Sequence, residues 1–224
     1  MPNNVINIAI DGPAGAGKST VARAVAKKLG FIYVDTGALY RAVGVNALRL
    51  GVDTKNHQAV SNTLSGINID LVFENGVQKV LLNLEDVSEE IRTPLASMAA
   101  SDVSAVPEVR KFLFDLQRNI ANTNNCIMDG RDIGTVVLPD AQVKIFLTAS
   151  PEKRAERRFK ELSEKGTEVS FEEVLNDIVQ RDYNDSHRPV APLKMAENGV
   201  LVDTSELTLE EAINTVLSVI ENAQ

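Results

Sequence analysis

Apolar residues along this chain fall into short runs separated by stretches of helical spacing. Five runs, at 5–10, 32–34, 126–128, 143–147 and 200–202, are rich in Val, Ile and Leu. Each has the length of a strand buried on both faces, which needs no polar alternation. Between them, residues 19–29, 38–50, 106–121, 152–164, 171–185 and 209–220 carry apolar side chains three and four apart, as on one face of an amphipathic helix. Strands alternating with helices predict an α/β fold of three layers, with a five-stranded parallel sheet between helices. Ligands of such a sheet bind beyond the carboxyl ends of its strands.

One segment breaks the alternation. Two β-prone runs, 67–73 and 77–84, flank Asn75-Gly76, a strong hairpin signal. A hairpin is antiparallel, so it is assigned to a small inserted module of about residues 60–105. An edge hairpin on the main sheet is the other arrangement. In either case it overhangs the strand ends, where a second substrate would bind. No internal repeat or low-complexity stretch is evident.

Composition narrows the functional classes. The 224 residues, 44% hydrophobic and 24% charged, are those of an ordinary globular chain, long enough for one large domain or for a domain with an insertion. No apolar stretch has the roughly 18–20 residues needed to span a bilayer, and residues 1–4 run into the first strand without the pattern of a signal peptide. A single cysteine, Cys126, lies in an apolar run and has no second cysteine to pair with, which points to the cytoplasm. The net charge of -8 argues against a nucleic-acid surface and makes local arginine clusters informative. His57 and His187 match no metal spacing. No heptad pattern or large apolar surface helix argues against a monomer.

The sharpest local signal is Gly12-Pro13-Ala14-Gly15-Ala16-Gly17-Lys18-Ser19, followed by Thr20, between the first strand and the first helix. This G-x-x-x-x-G-K-S octet in that context is a phosphate-binding loop for a nucleoside triphosphate. Its glycines let backbone N–H groups wrap a phosphate, and the following helix points its positive end at the same anion. Lys18 reaches the β- and γ-phosphates, and the Ser19 hydroxyl ligates Mg²⁺. Asp129, at the end of the apolar run 126–128, is placed to support that Mg²⁺ directly or through water.

Three further clusters suggest a second anionic substrate. Asp35-Thr36-Gly37-Ala38-Leu39-Tyr40-Arg41 follows the second strand, with Thr36 reading as the helix N-cap and Tyr40 and Arg41 one turn later. Arg131 and Asp132 follow Asp129. The guanidinium is suited to a phosphate and the carboxylate to an amino group on a base, although a local ion pair between them is the simpler reading. Arg181, Asp185 and Arg188 share one face if the helix persists that far, and an ordinary i, i+4 ion pair competes with a ligand role. The arginines of 152–158, namely Arg154, Arg157 and Arg158, with the polar loop 163–167, suggest a lid over about 154–170. A solvated basic helix face is the alternative.

Taken together, the stretches 10–20, 35–41, 129–136 and 188–193 resemble the bacterial cytidylate kinase family over nearly the whole chain. The first is common to many kinases; the other three, in this order and spacing, are far more specific. The resemblance implies a nucleoside monophosphate kinase core with an enlarged acceptor-binding insert and a short lid. It implies ATP and CMP or dCMP as substrates and Mg²⁺ as the metal. Arg41, Arg131 and Arg188 would hold the acceptor phosphate, with Lys18, Arg131 and Arg188 acting in transfer. Ser101, Arg110 and Asp132 would read the cytosine, Thr36 would face it, and Arg181 and Asp185 would hold the ribose. The chain departs from the family's R-D-x-R-D-R-x-R segment, having Asn184 and Ser186 at the two middle arginine positions. A same-fold kinase for UMP, AMP or shikimate, and a non-catalytic nucleotide switch, are the alternatives. The absence of an N-K-x-D run weighs against the switch.

Overall fold

The computed structural model describes residues 5–74, 77–164 and 166–223. In chain order its elements are β1 (Asn7–Asp11), α1 (Lys18–Leu29), β2 (Ile32–Asp35), α2 (Thr36–Arg49), α3 (His57–Thr63), β3 (Ile69–Glu74), β4 (Val77–Leu82), β5 (Glu85–Asp86), α4 (Pro94–Val103), α5 (Pro107–Thr123), β6 (Cys126–Gly130), β7 (Val143–Thr148), α6 (Pro151–Glu164), α7 (Phe171–His187), β8 (Val200–Asp203) and α8 (Leu209–Asn222).

Five of these strands form a parallel sheet in the order β2-β6-β1-β7-β8. The central strand β1 is apolar throughout its middle because both of its faces are covered. Ile8, Ile10, Ile145 and Leu147 meet α1 and α8, whose Val21, Val25, Val216 and Ile220 complete that core. On the opposite face Ala9, Val34 and Met128 pack with Ala121 of α5 and with Ile133 and Val137. The register pairs Asp35 with Asp129 and Ile10 with Asp129, so β2, β6 and β1 end level with one another. That alignment sets the acidic ends of three strands side by side.

The hairpin strands lie outside the parallel sheet. β3, β4 and β5 form a separate antiparallel sheet of three strands, covering the core of α2 together with α4. The Asn75-Gly76 turn itself lies outside the described residues, as do residues 1–4, Lys165 of the polar loop, and Gln224. Thr93 caps α4 by accepting from the Ala96 N–H at 3.2 Å, and Pro94 occupies its first position. α4 packs closely on α2 because Gly44 has no side chain: a Cβ there would fall 2.8 Å from the Cβ of Ala99.

Thr36 is not the N-cap of α2. The cap is Asp35, whose Oδ1 accepts from the Ala38 N–H at 3.0 Å. Strand β2 runs straight into the helix, so the last strand residue serves as the cap. Thr36 becomes the first helical residue and donates its hydroxyl to the Asp129 carbonyl at 2.7 Å. Helices α6 and α7 form a hairpin around Ala155, Val174 and Ile178, with Phe159 edge-on to Phe171. A capping box between Ser170 and Glu173 starts α7.

Candidate active site

The loop from Gly12 leaves β1 and turns into α1. At Gly12 a Cβ would fall 1.9 Å from the Leu147 carbonyl oxygen, so only glycine lets the chain pass β7 this closely. Gly17 takes a left-handed conformation and starts α1. Lys18, the first residue of that helix, is buried, and its Nζ donates to the Pro13 carbonyl at 2.8 Å. Burial and the charge of Arg131 push its pKa well below the ordinary lysine value. The ammonium is thus held beneath the loop with its charge opposed by its surroundings, which favours a polyanion beside it.

A cavity of about 340 Å³ opens from this loop. Ala14, Gly15, Lys18 and Ser19 line one end. Thr36, Tyr40, Arg41, Ser101 and Arg110 line the other, and Arg131, Asp132, Arg181, Asp185 and Arg188 close it from the β6 and α7 side. The side chains named from the sequence for an acceptor therefore converge from α2, the insert, α5, β6 and α7. Gly12, Pro13, Ala16, Gly17 and Thr20 shape or follow the loop without lining this cavity.

The charged groups pair across elements rather than along the chain. Arg131 does not pair with its neighbour Asp132; its Nε donates to Asp185 Oδ2 at 2.7 Å. Asp132 is buried between Arg188, at 3.0 Å, and Arg110. Arg110 also lies over the ring of Tyr40, 5.6 Å from its centroid, and burial raises that phenol to about 12. Arg41 pairs with Asp35 at 2.6 Å, and Arg181 donates to the Ser97 carbonyl at 3.2 Å. Burial would raise the Asp185 carboxyl, but Arg131, Arg188 and Arg181 together hold it below its ordinary value. Burial and Arg131 lower Arg181, and burial and Arg110 lower Arg188. Guanidinium groups that oppose one another in this way gain from an anion placed among them.

The three arginines of α6 divide. Arg154 is buried: it donates to the Ala149 carbonyl, to the Ala14 carbonyl at 3.0 Å, and to both oxygens of Asp182 at 3.0 and 2.5 Å. Arg157 donates to the Thr204 carbonyl at 2.6 Å. Arg158 alone of the three lines the cavity, beside Glu161. Arg188 lies one residue past α7, and its Nε holds the Ala191 carbonyl at 2.7 Å.

The donor set beside the loop suits a magnesium ion. Ser19 Oγ donates to Asp129 Oδ2 at 2.7 Å, and Tyr33 donates to the other oxygen at 3.2 Å. Burial and the neighbouring Asp35 raise the Asp129 carboxyl above its ordinary value, a cost that a cation would relieve. Among the described residues no cluster of three or more His, Cys, Asp or Glu side chains could hold a metal alone. Mg²⁺ at a triphosphate keeps waters and phosphate oxygens as ligands and takes one or two protein groups, so the pair fits.

Two contributors carry no role in the sequence reading. Asp35 caps α2 and holds Arg41, and Asp11 accepts the backbone N–H groups of Ile133 and Gly134. For Asp35 a signal existed, since an aspartate directly before a helical run is a common cap.

A phosphate loop on a parallel sheet, with arginines facing it in the same cavity, defines a phosphotransferase of the phosphate-loop class. The profile of the cytidylate kinase family matches residues 8–222, and the chain belongs to that family. It is 52% identical over 212 residues to the cytidylate kinase of Caldicellulosiruptor saccharolyticus, covering 95% of this chain and 94% of that one. It is 52% identical over 215 residues to the cytidylate kinase of Carboxydothermus hydrogenoformans, covering 96% and 97%. A solved structure of an uncharacterized protein from Eubacterium ventriosum shares the fold, with a TM-score of 0.53 at 12% identity over 96% of this chain and 98% of that one. Among the described residues no helix is long and apolar enough to cross a membrane.

Proposed function

We propose that this chain transfers the γ-phosphoryl group of ATP to CMP and dCMP, giving ADP and CDP or dCDP. The observation that carries the reading is one cavity with Lys18 and Ser19 at one end and Arg41, Arg131, Arg181 and Arg188 facing them. The names of its relatives agree with it. A non-bridging oxygen of the CMP phosphate attacks the γ-phosphorus, and the bond to the bridging oxygen of ADP breaks. The attacking monoester is already anionic near neutral pH, so no strong general base is required.

Catalysis is then positioning and charge stabilisation. Lys18 meets the β- and γ-phosphates, while Arg131 and Arg188 offset charge on the transferring group and, with Arg41, hold the acceptor phosphate. Ser101, Arg110 and Asp132 read the cytosine, with Thr36 and Tyr40 forming its surroundings. Arg181 and Asp185 hold the ribose, favouring a 2′-hydroxyl without excluding the deoxy substrate. Ser19 and Asp129 would hold Mg²⁺, which supplies neutralising charge at the triphosphate. The insert of about 60–105 acts as the monophosphate-binding module, and about 154–170 acts as a lid that excludes water. The lone buried Cys126 supports a cytoplasmic setting.

An ATP-dependent phosphorylation screen over CMP, dCMP, UMP, AMP and shikimate tests this. Turnover of CMP and dCMP well above the others is the expected result. Preference for another acceptor reassigns the base-reading residues, and turnover of none of them favours a nucleotide switch.

A further inference from the structure

We infer that Asp11 is a positioning residue for the acceptor: through the backbone of Ile133 and Gly134 it fixes the turn that presents Arg131 and Asp132. The inference rests on the reading of those two residues given above.

Asp11 ends β1, is buried, and does not line the cavity. Both of its carboxylate oxygens are spent on one turn. Oδ1 accepts from the Ile133 N–H at 2.8 Å and Oδ2 from the Gly134 N–H at 2.7 Å. That turn is wide, with the Val137 N–H donating to the Asp132 carbonyl at 3.2 Å and the Leu138 N–H to the Ile133 carbonyl at 2.7 Å. Its leading N–H groups have no partner within the turn, as at any helix start. Asp132 itself, at φ −146 and ψ 26, is neither helical nor extended, so no regular ladder holds it. The Asp11 carboxylate supplies what the local backbone lacks.

The environment is built around that contact. A Cβ at Gly134 would lie 3.4 Å from Asp11 Oδ2 and 3.3 Å from the Lys144 side chain, so the approach is tight. Among the described residues no cation pairs directly with Asp11; the charges of Lys18, Arg131 and Asp132 interact with it at longer range. An apolar residue would fill this position more cheaply if only packing were at stake, since burying a carboxylate is costly. Asp11 also precedes Gly12 directly. One residue therefore joins the base of the donor loop to the turn carrying the acceptor groups, and a small displacement of that turn would unseat Asp132 from between Arg110 and Arg188.

The test is Asp11→Asn, assayed beside the wild type with CMP, UMP and ATP varied in turn, with thermal melts by circular dichroism. The amide sets an N–H₂ against a backbone N–H. We expect the KM for CMP to rise about tenfold or more, and the kcat/KM preference for CMP over UMP to fall by a similar factor. The KM for ATP should rise less than that for CMP, since Asp11 reaches Lys18 through its charge alone. A merely structural role would degrade both substrates alike and leave base selectivity unmoved. A folded variant with wild-type KM and selectivity for CMP overturns the inference, as does an equal rise in both KM values. If Asp11→Asn does not fold, Gly134→Ala is read in the same way. It should raise the KM for CMP and lower the CMP preference by smaller factors, and no change in either overturns the role. Wild-type turnover of CMP in the same assay separates the two questions: without it the proposed function itself fails, and with it the variants bear on Asp11 alone.

Discussion

Arg131 and Asp185 meet at 2.7 Å, Nε to Oδ2, and this contact ties the end of β6 to α7 across the arginine-rich end of the cavity. The two residues are 54 positions apart in sequence. Each was a candidate on its own, and the pairing gives Arg131 a fixed orientation that its neighbour Asp132 does not.

Removing the acid should therefore cost more than a ribose contact. In Asp185→Ala the guanidinium groups of Arg131, Arg181 and Arg188 lose their shared counter-charge. Breaking a buried pair costs about 3–5 kcal/mol at most, discounted here because both side chains keep some exposure. The KM for CMP should rise by about 10–100-fold, and the preference for CMP over dCMP should fall toward unity. Steady-state kinetics with both acceptors checks this.

Lys18→Ala should lower kcat by about 10²–10³ or more, the scale for losing one charge-stabilising donor. Lys18 is held by the Pro13 carbonyl and takes no part in the pairing of Asp132 with Arg110 and Arg188, so CMP affinity measured by calorimetry should change by less than about threefold. Full activity in this variant would remove the loop from the mechanism.

Gly44→Val tests the coupling of the insert to the core. Its first side-chain carbon would already fall 2.8 Å from Ala99 and 3.2 Å from the Ala100 nitrogen. Overpacking of this kind costs about 1–3 kcal/mol, or a melting point lower by several degrees. Because α4 carries Ser101, the KM for CMP should rise while that for ATP holds. A melt and two KM determinations decide it.

The pH dependence of stability should carry the mark of Asp11. Burial raises its carboxyl from the ordinary 3.8 to about 6. Between those values the folded state binds more protons than the unfolded state, so the stability from this group is complete below about pH 4 and declines as pH rises to about 6. The full span corresponds to about 3 kcal/mol. Asp11→Asn cannot titrate, so the stability advantage of the wild type over this variant should shrink from pH 4 to 6 and level off above. Denaturant unfolding at pH 4, 5, 6 and 7 measures it, and a gap that is constant or widens contradicts the expected sign.

The sheet was legible because each of its strands is an apolar run ended by a polar signal, as Cys126–Gly130 shows. The helix at Pro94–Val103 was missed because Ala96, Ser97, Ala99, Ala100 and Ser101 give little amphipathic contrast, although Thr93-Pro94 is a start signal. Candidate site residues stood out as types clustered after strand ends, and the structure brings them to one cavity. Their partners were not, since the link between Arg131 and Asp185 and that between Arg154 and Asp182 depend on how α7 lies over the strand ends. Asp11 was invisible as a functional residue because its partners are backbone N–H groups, which leave no trace in sequence.

The contact between Gln78 of β4 and the backbone of Asp35 has a consequence for association. Strand β2 borders the parallel sheet, and its outer hydrogen-bonding groups would normally offer a template to another chain. Gln78 Oε1 takes the Asp35 N–H at 2.9 Å, and its Nε2 donates to the Asp35 carbonyl at 3.3 Å. A side-chain amide thus stands in for a sixth strand at that residue. Strand addition by a second molecule would first have to expel it, so the insert guards this border of the sheet.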